Sequence, residues 1–367
     1  MANTRILSKS AEYGIIRQGD TSVSTGAANG YKAAAGTTAS WGNPAVAGTN
    51  YRKVWYNKDS VIFDPAVTID QYDVSGQNGI HDETNQFFVD KLSGLPTMTF
   101  AGPADKYTLA PHLVGALGVV AEAATTPYLK TITCAGLTGP VDFTANGWPL
   151  HALSMTDIAS ADDGKFLSNC IIQDLTLEWD FNAMGIARLA QMSGSWVGNK
   201  LNLEQTLTGT TVATTLTPYN NTESYSFTTF TVDDADWSGL TFRKFTFSVN
   251  NNVTKDDSAA AGLADQYNVK PEYTSTIILD YDATTEKVAL DFQQGGLVVA
   301  TFASSTTPTL DGGLDIACTK GQIMSQPEMY EGEYKGVQLD IKWFAASSTV
   351  GPVTIRQTDT QDWTYGT

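Results

Sequence analysis

The sequence predicts an all-β protein with minor α content, organised as two tandem β modules, each with a short flanking helix. Three observations carry this expectation. A strand–helix–strand plan occurs twice along the chain. Thr and aromatic residues, which suit a pleated and half-buried surface, dominate the segments between turns. Charged residues make up only 17% of the 367 residues, against about 25% in ordinary globular chains, and uncharged Thr, Ser, Asn and Gly fill the gap.

The first 50 residues are rich in Gly, Ala, Ser and Thr and carry little regular apolar content, so they read as a flexible arm. Such an arm is either a free tail or a strap that orders on a neighbouring subunit, with Trp41, Tyr51 and Trp55 as its anchors. Residues 51–203 form the first strand-rich unit. Lys53–Asn57 and Ser60–Asp64 have strand lengths and are separated by the turn residues Asn57, Lys58 and Asp59. Pro96–Phe100 gives another strand, and the apolar stretch Leu109–Val120 follows it. Leu109, Leu113, Val114 and Leu117 share one helical face there, with Pro111 near the start, where a helix tolerates it. Leu175, Leu177, Trp179 and Phe181 alternate with Thr176, Glu178 and Asp180, the clearest half-buried strand of the chain.

Residues 204–237 are Thr-rich and predict a connecting hairpin or extended strand pair. The second unit, 238–367, repeats the plan. Phe245, Phe247 and Val249 alternate up to the turn-forming run Asn250–Asn252, Ile277, Leu279 and Tyr281 alternate again, and Val337, Leu339, Ile341 and Trp343 close the set. The stretch Glu286–Gly296 stands where the first copy has its helix.

Composition bounds the function. A net charge of −17, with 22 basic against 39 acidic residues, opposes any broad attractive contact with nucleic acid. The same acidity keeps a β-rich protein soluble, and a wall of like charge beside DNA prevents sticking. Cys134, Cys170 and Cys318 are widely spaced and odd in number, which indicates reduced thiols rather than a zinc site or disulfide framework. No apolar run approaches the ~18 residues needed to span a bilayer, and the N-terminus lacks a signal-peptide core, so the expectation is a soluble compartment.

Motifs for chemistry are sparse. Neither a dinucleotide fingerprint nor a phosphate loop is found. Ser193 and Ser195 lie in MSGSWVG, which lacks the first glycine of a nucleophile elbow. His81, His112 and His151 have no metal-ligand spacing. Asp280, Asp282 and Glu286, a loop without the glycine and spacing of an EF-hand, and separately Asp233, Asp234 and Asp236, offer oxygens for calcium but read as acidic turns, which are commonplace between strands. Trp179 and Trp343 read as buried strand residues rather than sugar-stacking platforms. The expectation is therefore no catalytic, cofactor or metal site.

Several segments resemble the tail tube (major tail) proteins of long, non-contractile-tailed bacteriophages. Ser10–Ile16 (SAEYGII) is similar to the family's opening. Pro96–Gly118 (PTMTFAGPADKYTLAPHLVGALG) resembles its strand and short helix, and Ser168–Gly198 its strand, turn and glycine-spaced ending. Phe242–Asn252 and Tyr273–Asp282 resemble two further strands. The resemblance implies β-sandwich or barrel modules assembled as stacked rings into a hollow virion tube. A tandem pair would let three chains supply six modules, and single modules would need six chains. It further implies an acidic lumen that conducts genomic DNA without binding it, contacts with other tail proteins at the tube ends, and manufacture in the host cytoplasm. The arm, the loop His81–Asn85 and the hairpin Asp280–Glu286 are the expected interface carriers. A carbohydrate- or receptor-binding β-sandwich is the alternative, with an acidic glycosidase behind it.

Overall fold

The computed structural model describes residues 11–17, 52–57, 59–73, 86–92, 95–123, 125–134, 139–142, 151–157, 160–198, 200–205, 216–219, 225–255, 266–280, 297–304, 312–326, 328–331, 334–347 and 350–360. In chain order the elements are β1 (Ala11–Arg17), β2 (Arg52–Val54), β3 (Ile62–Asp64), β4 (Val67–Asp73), β5 (Gln86–Leu92), β6 (Thr97–Pro103) and the helix α1 (Leu109–Leu117). Next come β7 (Gly118–Glu122), β8 (Tyr128–Cys134), β9 (Gly139–Asp142), β10 (His151–Asp157), β11 (Ser160–Asp180), β12 (Gln191–Val197) and β13 (Lys200–Gln205). The remainder are β14 (Tyr225–Val232), β15 (Ala235–Asp236), β16 (Phe242–Asn250), β17 (Thr254–Lys255), β18 (Gln266–Val269) and β19 (Glu272–Asp280). They end with β20 (Leu297–Ser304), β21 (Leu314–Ser325), β22 (Glu328–Glu331), β23 (Tyr334–Trp343) and β24 (Val353–Asp359). The all-β class with minor α is what the structure has.

Every pairing is antiparallel, and the strands make two facing layers. The first runs β3–β6–β12–β11–β16–β19–β23. The second runs β7–β8–β24–β21–β20–β14, with β15 folded back on β14. Rings from the two layers meet between them. Phe302 of β20 lies 4.4 Å from Phe245 of β16 and 5.1 Å from Trp179 of β11, centroid to centroid, and Phe227 of β14 lies 5.4 Å from Phe245. Alternation explains this directly, since a period of two sends Leu175, Leu177 and Trp179 inward from β11 and Phe245, Phe247 and Val249 inward from β16.

Two strands turn corners. The first part of β11 leaves the first layer to pair with β10 and β13, and β10 carries β1 and then β2 beyond it. β21 pairs with β24 through Leu314–Cys318 and with β23 through Gly321–Ser325, so it joins the two layers. Gly321 sits at that corner with the Trp343 ring over it, and a Cβ there would lie 2.5 Å from the ring. Elsewhere β9, β17 and β18 make a small sheet, and β4 and β5 form a two-stranded ribbon.

Several expectations need correction. Ala11–Arg17 is not part of an arm: it is paired residue by residue with β10, and Ile15 is fully buried. The other residues of 1–50 lie outside the described residues. The segments 51–203 and 238–367 do not form separate sheets, because β11 pairs with β16 and β8 pairs with β24. The two copies of the strand–helix–strand plan also differ: β12 stands between β6 and β11, whereas β19 and β23 are direct neighbours. Glu286–Gly296 lies outside the described residues. The connecting segment 204–237 contributes the hairpin β14–β15, whose turn residues Asp233 and Asp234 take positive φ of 47° and 66°, and its Phe230, Val232 and Trp237 are core. Of the strands read at Lys53–Asn57 and Ser60–Asp64, the first contributes to β2, which joins β1, and the second contains β3, which joins β6.

The helix α1 is internal rather than flanking. All nine of its residues are buried, as a helix apolar on every side requires. It packs on β11, β7 and β8, so it fills one end of the space between the layers. A Cβ on Gly115 would lie 2.6 Å from the Trp196 ring, which shows how closely helix and sheet approach. Gly118 ends the helix in the left-handed conformation, at φ 93°.

Candidate functional site

The outward face of the first layer is an extended polar surface. Opposite the apolar row, the same period of two places hydroxyl, amide or charged side chains at most outward positions of β12, β11, β16, β19 and β23, with Ile278 an apolar exception. One row reads Ala101, Ser193, Thr176, Ser248, Thr274, Lys342 from β6 to β23. The next reads Pro103, Gln191, Glu178, Thr246, Thr276, Asp340. Carboxylates outnumber cations on this face: Asp174, Glu178, Asp180, Glu272, Asp280 and Asp340 stand against Arg243, Lys244 and Lys342.

Local contacts hold these carboxylates in place. Lys244 pairs with Glu178 at 2.8 Å, Lys342 with Glu272 at 3.2 Å, and Arg243 with Asp280. Asp174 accepts from Ser195, and Asp340 accepts from Thr276 at 3.0 Å, Gln338 at 2.9 Å and Ser325. Asp180 caps the turn that follows β11 by accepting from the backbone N–H groups of Asn182 and Ala183. The result is an array of oxygens held by local contacts, with more carboxylates than cations. It offers no cluster of cations to a phosphate chain.

Beneath it the polar groups are structural. His112 Nδ1 donates to the Thr108 carbonyl at 2.9 Å, which leaves Nε2 to accept from the Tyr56 hydroxyl at 2.8 Å. Burial holds the imidazole at about 4, below its ordinary 6.5, and pushes the Tyr56 phenol up. His112 is thus a histidine satisfied at both ring nitrogens within the apolar helix. Asp105 ties the helix start by accepting from Thr108 Oγ1 at 3.0 Å and from the Thr217 N–H at 2.6 Å, and burial raises it. Asn251, within the run read only as a turn, is fully buried and donates to the carbonyls of Ala116 and Ile172. Nothing in the spacing of that run distinguishes it from its exposed neighbours, so the tie is visible only in three dimensions. A further buried ion cluster joins Lys130 to Asp359 at 2.8 Å and to Glu122 at 3.2 Å, linking β8, β24 and β7.

The residues weighed for chemistry are scattered. Ser195 projects from β12 on the polar face, whereas His112 and His151 pack against the buried Trp196 on the other side of that strand. Asp233 accepts from the Leu297 N–H and Asp236 from the Ser238 N–H, so both serve turns. Asp282, Glu286 and the loop His81–Asn85, with His81, lie outside the described residues. Among the described residues no group of His, Cys, Asp and Glu is arranged to hold a metal ion. Trp179 and Trp343 are buried, and Trp343 Nε1 donates to Ser275 Oγ at 2.9 Å, so neither ring is open to a sugar. The three cysteines are free and buried. No helix among the described residues is long and apolar enough to cross a membrane. No protein-family model matches the chain, and no curated protein matches it.

Proposed function

We propose that this chain is a structural protein that assembles with copies of itself as stacked rings into a hollow tube, the tail tube of a long non-contractile-tailed bacteriophage. The observation that carries the reading is the polar face of the first layer. A surface of hydroxyls and pinned carboxylates suits the wall of a channel through which DNA slides, because like charge repels phosphates and fixed side chains offer them no grip. The resemblance of Pro96–Gly118 and Ser168–Gly198 to tail tube segments points the same way, and these segments supply β6, α1, β11 and β12 of the architecture.

Edges supply the means of polymerising. β3 is a short strand at the border of the first layer, paired among the described residues with β6 alone, and its Ile62 is 61% exposed. A heterologous contact made there closes into a ring when the rotation permits. Because residues of both halves are used in one pair of layers, a ring of six sandwiches takes six chains rather than three. The ribbon β4–β5 is a second means, since a two-stranded ribbon is marginal alone and gains stability by packing on a neighbour. Negative-stain electron microscopy of the concentrated protein tests the proposal. Rings or tubes with a central channel are expected, and a protein that stays monomeric at every concentration overturns it.

A further inference from the structure

The second layer also has an outward face, and its chemistry differs from that of the first. Pairing in register sets Val119, Thr133, Thr354, Ala317, Thr301 and Thr229 in one row across six strands, from β7 to β14. Every member is uncharged, carries a methyl group and is at least partly exposed. Beside this row β20 and β21 add Leu297, Val299 and Met324, exposed by 51%, 37% and 56%. Leu297 stands opposite Gln322, two residues from Met324, so the two apolar side chains are diagonal neighbours. The next row contains Arg356 and Asp315, which are cross-strand partners and bonded to each other.

We propose that this face docks against a second copy of the same chain. The proposal rests on the self-assembly reading above and names the surface that carries one of its contacts. The charge argument selects the occupant. Each copy carries a net charge of −17, and like charges brought within a Debye length of about 8 Å repel with little screening. Close approach of two copies therefore favours a surface without net negative charge: here Asp315 is paired with Arg356, and the other charge beside the row is the exposed cation Lys320 of β21, in the register shift opposite Val299. The size argument agrees. Six strands about 4.8 Å apart span roughly 24 Å, and the outward residues from Leu297 to Ala303 cover roughly 20 Å along β20, a footprint of roughly 500 Å². That is of the same order as the ~800 Å² per partner buried in a standard interface. Methyl-bearing Thr, Ala and Val also lose little side-chain entropy when covered.

The test places charge in the row. Ala317→Glu and, separately, Thr301→Lys are made in the full chain, and Thr176→Glu on the first layer serves as the control. Sedimentation velocity across a range of concentrations reads association, microscopy reads rings, and thermal unfolding reports the fold. Both second-layer variants are expected to weaken association at least tenfold while circular dichroism and the unfolding midpoint stay near the wild type. Using opposite charges guards against one variant failing to fold. Rings that form equally well in both folded variants overturn the inference and leave the tube reading intact. Wild-type association into pairs without rings, abolished by either variant, supports the inference and overturns the tube reading. A wild type that never associates overturns both.

Discussion

Replacing His112 with Gln tests the internal chemistry of the fold through its pH dependence. In the folded protein burial holds the imidazole neutral down to about 4, whereas an unfolded histidine titrates near 6.5. Between those values the unfolded chain binds more protons than the folded one. The histidine's contribution is therefore complete above the unfolded value, falls as pH drops toward 4, and changes no further below it. Integrating between pH 7.5 and pH 5 gives a loss of about 2 kcal/mol from this one group. His112→Gln does not titrate in that window and keeps an acceptor for Tyr56. Urea unfolding of both proteins, followed by tryptophan fluorescence, supplies the comparison. The stability gap between wild type and variant should narrow by about 2 kcal/mol from pH 7.5 to pH 5. The starting offset is irrelevant, because only the change with pH reports the buried neutral imidazole. A gap constant to within a few tenths of a kcal/mol would refute the reasoning.

Three further outcomes follow from the packing. Gly321→Ala places a methyl 2.5 Å from the Trp343 ring and 2.8 Å from Ile341, so it should cost about 1–3 kcal/mol, read as a lowered urea midpoint. Lys130→Met removes the cation that Glu122 and Asp359 share at the junction of β7, β8 and β24, and should cost about 3–5 kcal/mol by the same measurement. Burial raises the Cys170 and Cys318 thiols, so mass spectrometry should find both unmodified by maleimide in the native protein and all three cysteines labelled in guanidinium.

The strands of the core were legible because a period of two leaves a local record. Leu175–Trp179, Phe245–Val249 and Val337–Trp343 each show which side chains turn inward, and burial follows that record. The helix was legible from Leu109, Leu113, Val114 and Leu117, although its internal position was not. A helix buried on every side differs from an amphipathic one here only through Ala110, Pro111, His112, Gly115 and Ala116, small or polar-tolerant residues that also suit an exposed face. Ala11–Arg17 was hidden by its Gly- and Ala-rich surroundings, since its stability comes from β10, some 140 residues further on.

Alternation by itself determined two faces for each strand, and so both an apolar interior and a polar exterior. Composition separately determined that the chain is acidic and rich in hydroxyls. Only the tertiary structure decided which strands became neighbours, and with that the division of labour between the layers. Carboxylates from β11, β19 and β23 gather on one outward face, while Thr, Ala and Val from β7, β8, β24, β21, β20 and β14 gather on the other. The physical reason is that side-chain direction is set within a strand, whereas pairing depends on hydrogen bonds and packing between residues far apart in the chain. Local order says which way a residue points, and only long-range closure says whom it stands beside.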